Sequence, residues 1–210
     1  IQKIAKHGRS EISPMGTRKP FPGLDTLLFR GAQFYRFPRN EDEAVSTRTV
    51  IGPGARHPLE LAIPFYVSHM SFGALSREAK IALAQGASAA ETATCSGEGG
   101  MLPEEREHAT RYIYEVGTAR FSFNEEAIRK GDAVEIKFGQ AAKPGMGGHL
   151  PAEKVTPEIA AIRGLRPGQD FISPNRQPDV SSVEDLRRMV DTLRGMTGGR
   201  PVGVKLTAGH

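Results

Sequence analysis

Short apolar runs, loops rich in glycine and helical stretches alternate along this chain without the two-residue turns that mark hairpins, and that is the pattern of parallel βα units. Residues 62–70 read as a strand, Ser71-Phe72-Gly73 as a tight turn and residues 76–90 as a helix. A second cycle runs from a short extended piece at 93–95 through Ser96-Gly97-Glu98-Gly99-Gly100 into a helical stretch at 103–116, with Pro103 suited to a first helical turn. A third holds helix-like residues 124–130, a strand at 133–138, a glycine loop and a helix at 156–163. Residues 171–173 form a brief strand, 182–197 an amphipathic helix with Val183, Leu186, Met189, Val190 and Leu193 on one face, and 201–206 a fifth strand.

The richest loop follows the strand at 133–138. Gly139, Gly145, Gly147 and Gly148 allow a close approach of backbone to ligand, while Lys137, Gln140, Lys143 and His149 add two cations, an amide and an imidazole. That composition suits an anionic or carboxylated ligand. All the candidate ligand residues fall just after strands, which fits a (β/α)8 barrel, whose loops converge at the carboxyl ends of its strands. A doubly wound open sheet would place them similarly, so spacing alone leaves both architectures open.

Composition narrows the function. At 210 residues the chain can build one good-sized domain or part of a larger one, and 38% hydrophobic with 25% charged residues is ordinary for a globular protein. The net charge of +4 and pI near 9.3 come from basic residues interleaved with acidic ones, so the basicity fits small anionic ligands and no nucleic-acid partner is expected. One cysteine, Cys95, rules out a disulfide framework or a cysteine-only metal centre within this stretch and points to the reducing cytoplasm. No metal ligand set is read from the sequence, and no apolar run reaches membrane-spanning length. Residues 1–58, with many prolines and glycines, read as an irregular leader packed on the body formed by residues 59–210. Beginning at Ile1 and stopping after a strand, the chain is expected to be a fragment.

Five motifs in order carry a resemblance. His69-Met70-Ser71-Phe72-Gly73-Ala74-Leu75-Ser76 departs from a family string only in having His69 for proline, and Gly97-Glu98-Gly99-Gly100 follows. Gln140-Ala141-Ala142-Lys143-Pro144-Gly145-Met146-Gly147-Gly148-His149-Leu150-Pro151, then Ile172-Ser173-Pro174 with Ser182-Val183-Glu184-Asp185-Leu186 behind it, and Val204-Lys205-Leu206 complete the set. Together they resemble the FMN-binding synthase domain of glutamate synthases, particularly the archaeal-type large subunit.

The resemblance implies the N-terminal half to two-thirds of a TIM barrel of the FMN-linked type, in which reduced FMN delivers hydride to 2-iminoglutarate formed from 2-oxoglutarate and ammonia. It implies that Lys143 and Arg163 hold the substrate carboxylates, that Glu98, Ser71 and His149 line the same pocket, with Lys143 and Glu98 catalytic, and that Ser71, Cys95, Lys137, Gln140 and Lys205 surround the flavin. Read from the residues alone, Arg163 also fits a solvated charge at a helix end, Glu98 a helix-start carboxylate and Ser71 a turn cap. His149 stands where glutamine is frequent, either bonding substrate or holding a loop carbonyl, and Cys95 stands where asparagine is common. The loop at Arg176-Gln177-Pro178-Asp179 has no assigned role. With no cysteine cluster and no G-x-G-x-x-G fingerprint, iron-sulfur clusters, an NAD(P)H or ferredoxin entry point and an amidotransferase are expected on other domains or subunits. A related flavin enzyme acting on another amine, such as N-methylglutamate synthase, shares Gly99-Gly100-Met101, and a barrel serving only as a scaffold is the non-enzymatic alternative.

Overall fold

The computed structural model describes residues 20, 23–32, 34–139 and 147–207. Its centre is a parallel four-stranded sheet made of β3 (Thr94–Cys95), β4 (Tyr112–Val116), β5 (Ala133–Lys137) and β8 (Val202–Lys205), adjacent in that order. Two antiparallel pairs flank it. β1 (Thr49–Ile51) pairs with β2 (Leu59–Leu61), and β6 (His149–Leu150) pairs with β7 (Phe171–Ile172). The helices are α1 (Arg77–Ala89), α2 (Pro103–His108), α3 (Glu125–Lys130), α4 (Pro157–Arg163) and α5 (Val183–Met196). No described helix is long and apolar enough to cross a membrane.

Local chemistry sets the helix starts. Ser76, Thr156 and Ser182 each accept a hydrogen bond from the backbone N–H three residues on, at 3.2, 3.3 and 3.1 Å. Gly164 closes α4 in the left-handed conformation. The sheet separates two environments. Tyr112, Tyr114, Val116, Val134 and Ile136 face the helices and pack with Ile128 of α3 and Leu193 of α5. On the other face Cys95, Ile113 and Ala133 are covered by Leu59 and Leu61 of β2. Farther along that face come Glu115, Glu135 and Lys137, with Lys137 in register with Lys205.

Three expectations need correction. The helix expected over residues 103–116 ends at His108, and Tyr112–Val116 is instead the second strand of the sheet. All five of its residues are buried, Glu115 included, so the run lacks the alternation of a half-exposed strand, and no glycine or proline marks the change. The strand expected over residues 62–70 is reduced to one parallel bridge, Val67 to Thr94, with Val67 N–H donating to Ala93 O at 2.9 Å. Pro64 lacks the N–H that a longer ladder needs. The antiparallel β1–β2 pair also shows that hairpin pairing is present, joined by a longer turn at residues 52–58.

Three tyrosines report on this core. Burial, with Glu105 beside it, pushes the Tyr112 phenol well up; burial also raises Tyr114, and burial with the negative charge of Glu135 raises Tyr66 to about 12. Phenols whose folded values lie above their unfolded value favour the folded state fully below pH of about 10, and that contribution is lost as pH rises through the folded values. An absorbance titration is expected to show phenolate from these three forming together with loss of circular dichroism. Their smooth ionisation in a protein that remains folded would contradict the packing described.

Candidate active site

Four loops meet at the carboxyl end of the sheet. The segment after Val67 supplies Ser71, the loop after β3 supplies Glu98, the end of β5 supplies Lys137, and the β6–β7 pair with α4 closes the remaining side. Lys137 Nζ donates to Glu98 Oε2 at 2.9 Å, and both side chains are largely buried. Glycines make the approach possible. A Cβ on Gly97 would lie 2.6 Å from Ser71 N, one on Gly99 2.9 Å from both Ser71 Cβ and Arg163 Nη2, and one on Gly148 2.0 Å from Glu98 Oε1.

Gly97 also holds φ at +67°, where a side chain is strained. Gly97→Ala is therefore expected to lose about 1–2 kcal/mol from backbone conformation alone. The clash with Ser71 adds to this, so substrate affinity should fall with stability, which thermal unfolding and ligand titration of the intact protein would check. A variant with unaltered affinity would separate Ser71 from the pocket.

Arg163 is the centre of the arrangement. It is 3% exposed, held by a hydrogen bond from Nη2 to Phe72 O at 2.8 Å and flanked by the rings of Phe171 and Phe121, whose centroids lie 5.5 and 6.0 Å from Cζ. Its Nε is buried without a hydrogen-bond partner, and among the described residues no carboxylate pairs with it. Burial lowers its pKa, against the opposing pull of Glu98. A guanidinium in this state has unused donors suited to an incoming carboxylate.

Other expected residues sit differently. His149 Nε2 lies 2.9 Å from Asp170 Oδ2, while Asp170 Oδ1 accepts from Ala152 N–H at 2.7 Å, so His149 ties the β6–β7 pair to the turn before α4. These two hydrogen bonds hold the Asp170 carboxyl below the usual carboxylate range. Cys95 is 1% exposed in the apolar layer under β2, and burial, reinforced by Glu115, pushes its thiol well up, which does not suit a nucleophile. Lys205 Nζ lies 3.6 Å from Glu115 Oε2, on the face that also carries His69, Glu135 and Lys137. Gln140 and Lys143 lie outside the described residues.

Two residues with no assigned function in the sequence organise the site. Lys80 of α1 is 2% exposed and donates to Met70 O at 2.7 Å, Cys95 O at 3.2 Å and Ser96 O at 3.0 Å, and it pairs with Glu105 Oε1 at 2.7 Å. One ammonium thus fixes the backbone just before Ser71 and before Gly97-Glu98. Gln177 Nε2 donates to Val116 O, Gly117 O and Lys137 O at 3.3, 3.0 and 2.8 Å, gathering the ends of β4 and β5. Lys80 is legible in hindsight, since Lys80, Ala84 and Ala87 share the buried stripe of α1. Gln177 carries no comparable periodic signal.

Residues 9–210 match the model of the conserved region in glutamate synthase. Among similar proteins, a glutamate synthase large subunit-like protein of Rhizobium meliloti (strain 1021) is 39% identical over 98% of this chain and 47% of its own length. An archaeal glutamate synthase (NADPH) of Methanocaldococcus jannaschii is 44% identical over 78% of this chain and 31% of its own length. An archaeal-type glutamate synthase (NADPH) of Thermotoga maritima is 39% identical over 100% of this chain and 46% of its own length. The chain spans less than half of each of these relatives.

Proposed function

The chain belongs to the glutamate synthase family, and from that premise we propose that it forms the flavin- and 2-oxoglutarate-binding part of an enzyme that makes L-glutamate from 2-oxoglutarate and ammonia through 2-iminoglutarate. The observation that carries this reading is the buried Arg163 guanidinium, which has unused donors beside Ser71 and the Glu98–Lys137 pair. The parallel sheet with helices on one face and ligand loops at its carboxyl end supports the further reading that residues 59–210 are the first units of a (β/α)8 barrel, with residues 1–58 as its leader.

Each described residue then has a task. Arg163 binds one substrate carboxylate through two parallel N–H donors, and Lys143 is proposed to take the other. Glu98, steadied by Lys137, accepts a hydrogen bond from the imine nitrogen and orients the carbon to be reduced. The cofactor site fits an anionic planar group, because Lys137 and Lys205 occupy paired positions on adjacent strands and offer two cations to one ring edge. FMN, when bound, supplies the hydride. Ser71 and Gln140 are proposed to line the same ring. The NADPH in the relatives' names favours a pyridine nucleotide as electron source, delivered through iron-sulfur centres on another domain or subunit, with an amidotransferase as ammonia source and a cytoplasmic setting.

The test is the visible spectrum of the intact protein. A flavin band that bleaches on anaerobic reduction and returns when 2-oxoglutarate and ammonium are added, with one glutamate formed per flavin reoxidised, is the expected result. Absence of bound flavin after addition of FMN would overturn the reading in favour of a scaffold. Faster reoxidation with methylamine than with ammonium would move the substrate to a secondary amino acid product.

A further inference from the structure

We propose that His69, Cys95, Glu115 and Glu135 form a binding site for one divalent transition cation of the zinc class, on the inner face of the parallel sheet. A ring nitrogen of His69, Cys95 Sγ and a Glu115 carboxylate oxygen lie within 4.8 Å of one another. Small side-chain rotations would bring them to the separations of about 3.5 Å found between ligands of a tetrahedral zinc ion. Glu135 Oε1 stands outside that cluster, 2.6 Å from His69 Nε2, and becomes the fourth ligand when ring and carboxylate separate to admit the ion.

A second observation points the same way. Glu115 is 0% exposed; among the described residues its Oε1 is buried without a partner, and its Oε2 has only His69 Nε2 at 3.4 Å and Lys205 Nζ at 3.6 Å. Buried carboxylate oxygens lacking donors are costly, and a cation is the partner that satisfies several at once. Charge closes on the same composition. A divalent cation, one thiolate and two carboxylates leave a single negative charge, which the ammonium of Lys205, 3.6 Å from Glu115 Oε2, neutralises. Thiolate and imidazole ligands select zinc over magnesium or calcium.

The fold brings His69, from the segment before Ser71, together with Cys95 of β3. The segment leading to Ser71 is joined to the sheet ladder by the single bridge at Val67. A metal held by His69 from that segment and by Cys95, Glu115 and Glu135 from β3, β4 and β5 fastens it to three strands. Binding releases the thiol proton of Cys95 to solvent. A cleft of about 410 Å³ lined by Tyr66, Ser68, His69, Glu135 and Lys205 gives the ion a way in. The site assigns Cys95 a metal rather than the flavin ring, and it shares Lys205 with the proposed cofactor face.

The experiment uses the intact protein, freed of metal with a chelator and titrated with zinc chloride and, separately, cobalt chloride. The expected result is one more equivalent of zinc in the wild type than in Cys95→Ser, a thiolate-to-cobalt charge-transfer band lost in that variant, and at least tenfold weaker zinc binding in Glu115→Gln. Chelation should lower the Tm of the wild type and leave that of Cys95→Ser unchanged. If Cys95→Ser does not fold, His69→Gln serves for the same comparison. Equal zinc content and an equal cobalt spectrum in the wild type and a folded variant would overturn the proposal, and would leave the His69 ring between Glu115 and Glu135 as the occupant of the cluster.

Discussion

Arg163→Met is expected to leave the fold standing while removing most of the affinity for 2-oxoglutarate. The side chain is buried and its only hydrogen bond among the described residues goes to Phe72 O. Its loss therefore removes one neutral acceptor's partner and also relieves a desolvated charge, and the two effects offset to within about 1 kcal/mol. Methionine fills similar volume between Phe121 and Phe171. Binding has no such compensation. Two charge-assisted hydrogen bonds to a carboxylate are worth at least about 3 kcal/mol together, so the Kd should rise on the order of 100-fold or more. Titration calorimetry beside thermal unfolding of the intact protein separates the two quantities. An unchanged Kd would remove Arg163 from the pocket, and a parallel collapse of stability would make it a structural residue.

Lys80→Met carries the largest expected cost in stability. The ammonium is the ion-pair partner of Glu105, which also accepts from Tyr112 Oη at 3.0 Å. Burial pushes the Glu105 carboxyl upward while Lys80 pulls it back, so removing Lys80 leaves a carboxyl that must bind a proton or sit uncompensated. Breaking a buried pair from one side costs about 3–5 kcal/mol, and three carbonyls lose their donor as well. Glu105→Gln added to Lys80→Met should recover part of the loss, because the amide neutralises the orphaned charge while keeping an acceptor for Tyr112. Denaturant unfolding of the two variants is the measurement. A double variant no better than the single one would show that the ion pair is not the source of the cost.

The sequence was readable wherever local chemistry decides structure. Ser76, Thr156 and Ser182 cap helices as hydroxyls before an apolar period should, and the strands at Thr94–Cys95, Ala133–Lys137 and Val202–Lys205 lie within the runs expected for them. Tyr112–Val116 was misread because a strand buried on both faces has neither helical nor alternating polarity, and only its neighbours settle the matter. The β6–β7 pairing was invisible for a different reason. It joins His149 to Ile172 across an intervening helix, and no turn motif encodes such a contact. Arg163, Glu98, Ser71 and Lys137 are singled out by motif resemblance, and the structure brings them close to one another. Neither Gln177 nor the partnership of Lys80 with three carbonyls could be read in advance, because backbone acceptors leave no trace in residue identity.

The hydrogen bond from Arg163 to Phe72 O joins residues 91 apart, those from Gln177 to the strand ends span 40 to 61, and Lys137 reaches back 39 to Glu98. On a chain made from its N-terminus, the loops that bear Ser71 and Glu98 therefore emerge long before the groups that complete their surroundings. Contacts of this separation carry a loop-closure cost that packing must offset, as does the pairing of β5 with β8, which joins Val134 to Val202. Gln177, Lys205 and strand β8 all follow Arg163 in the chain, so the surroundings of the two loops are assembled in steps as these groups emerge.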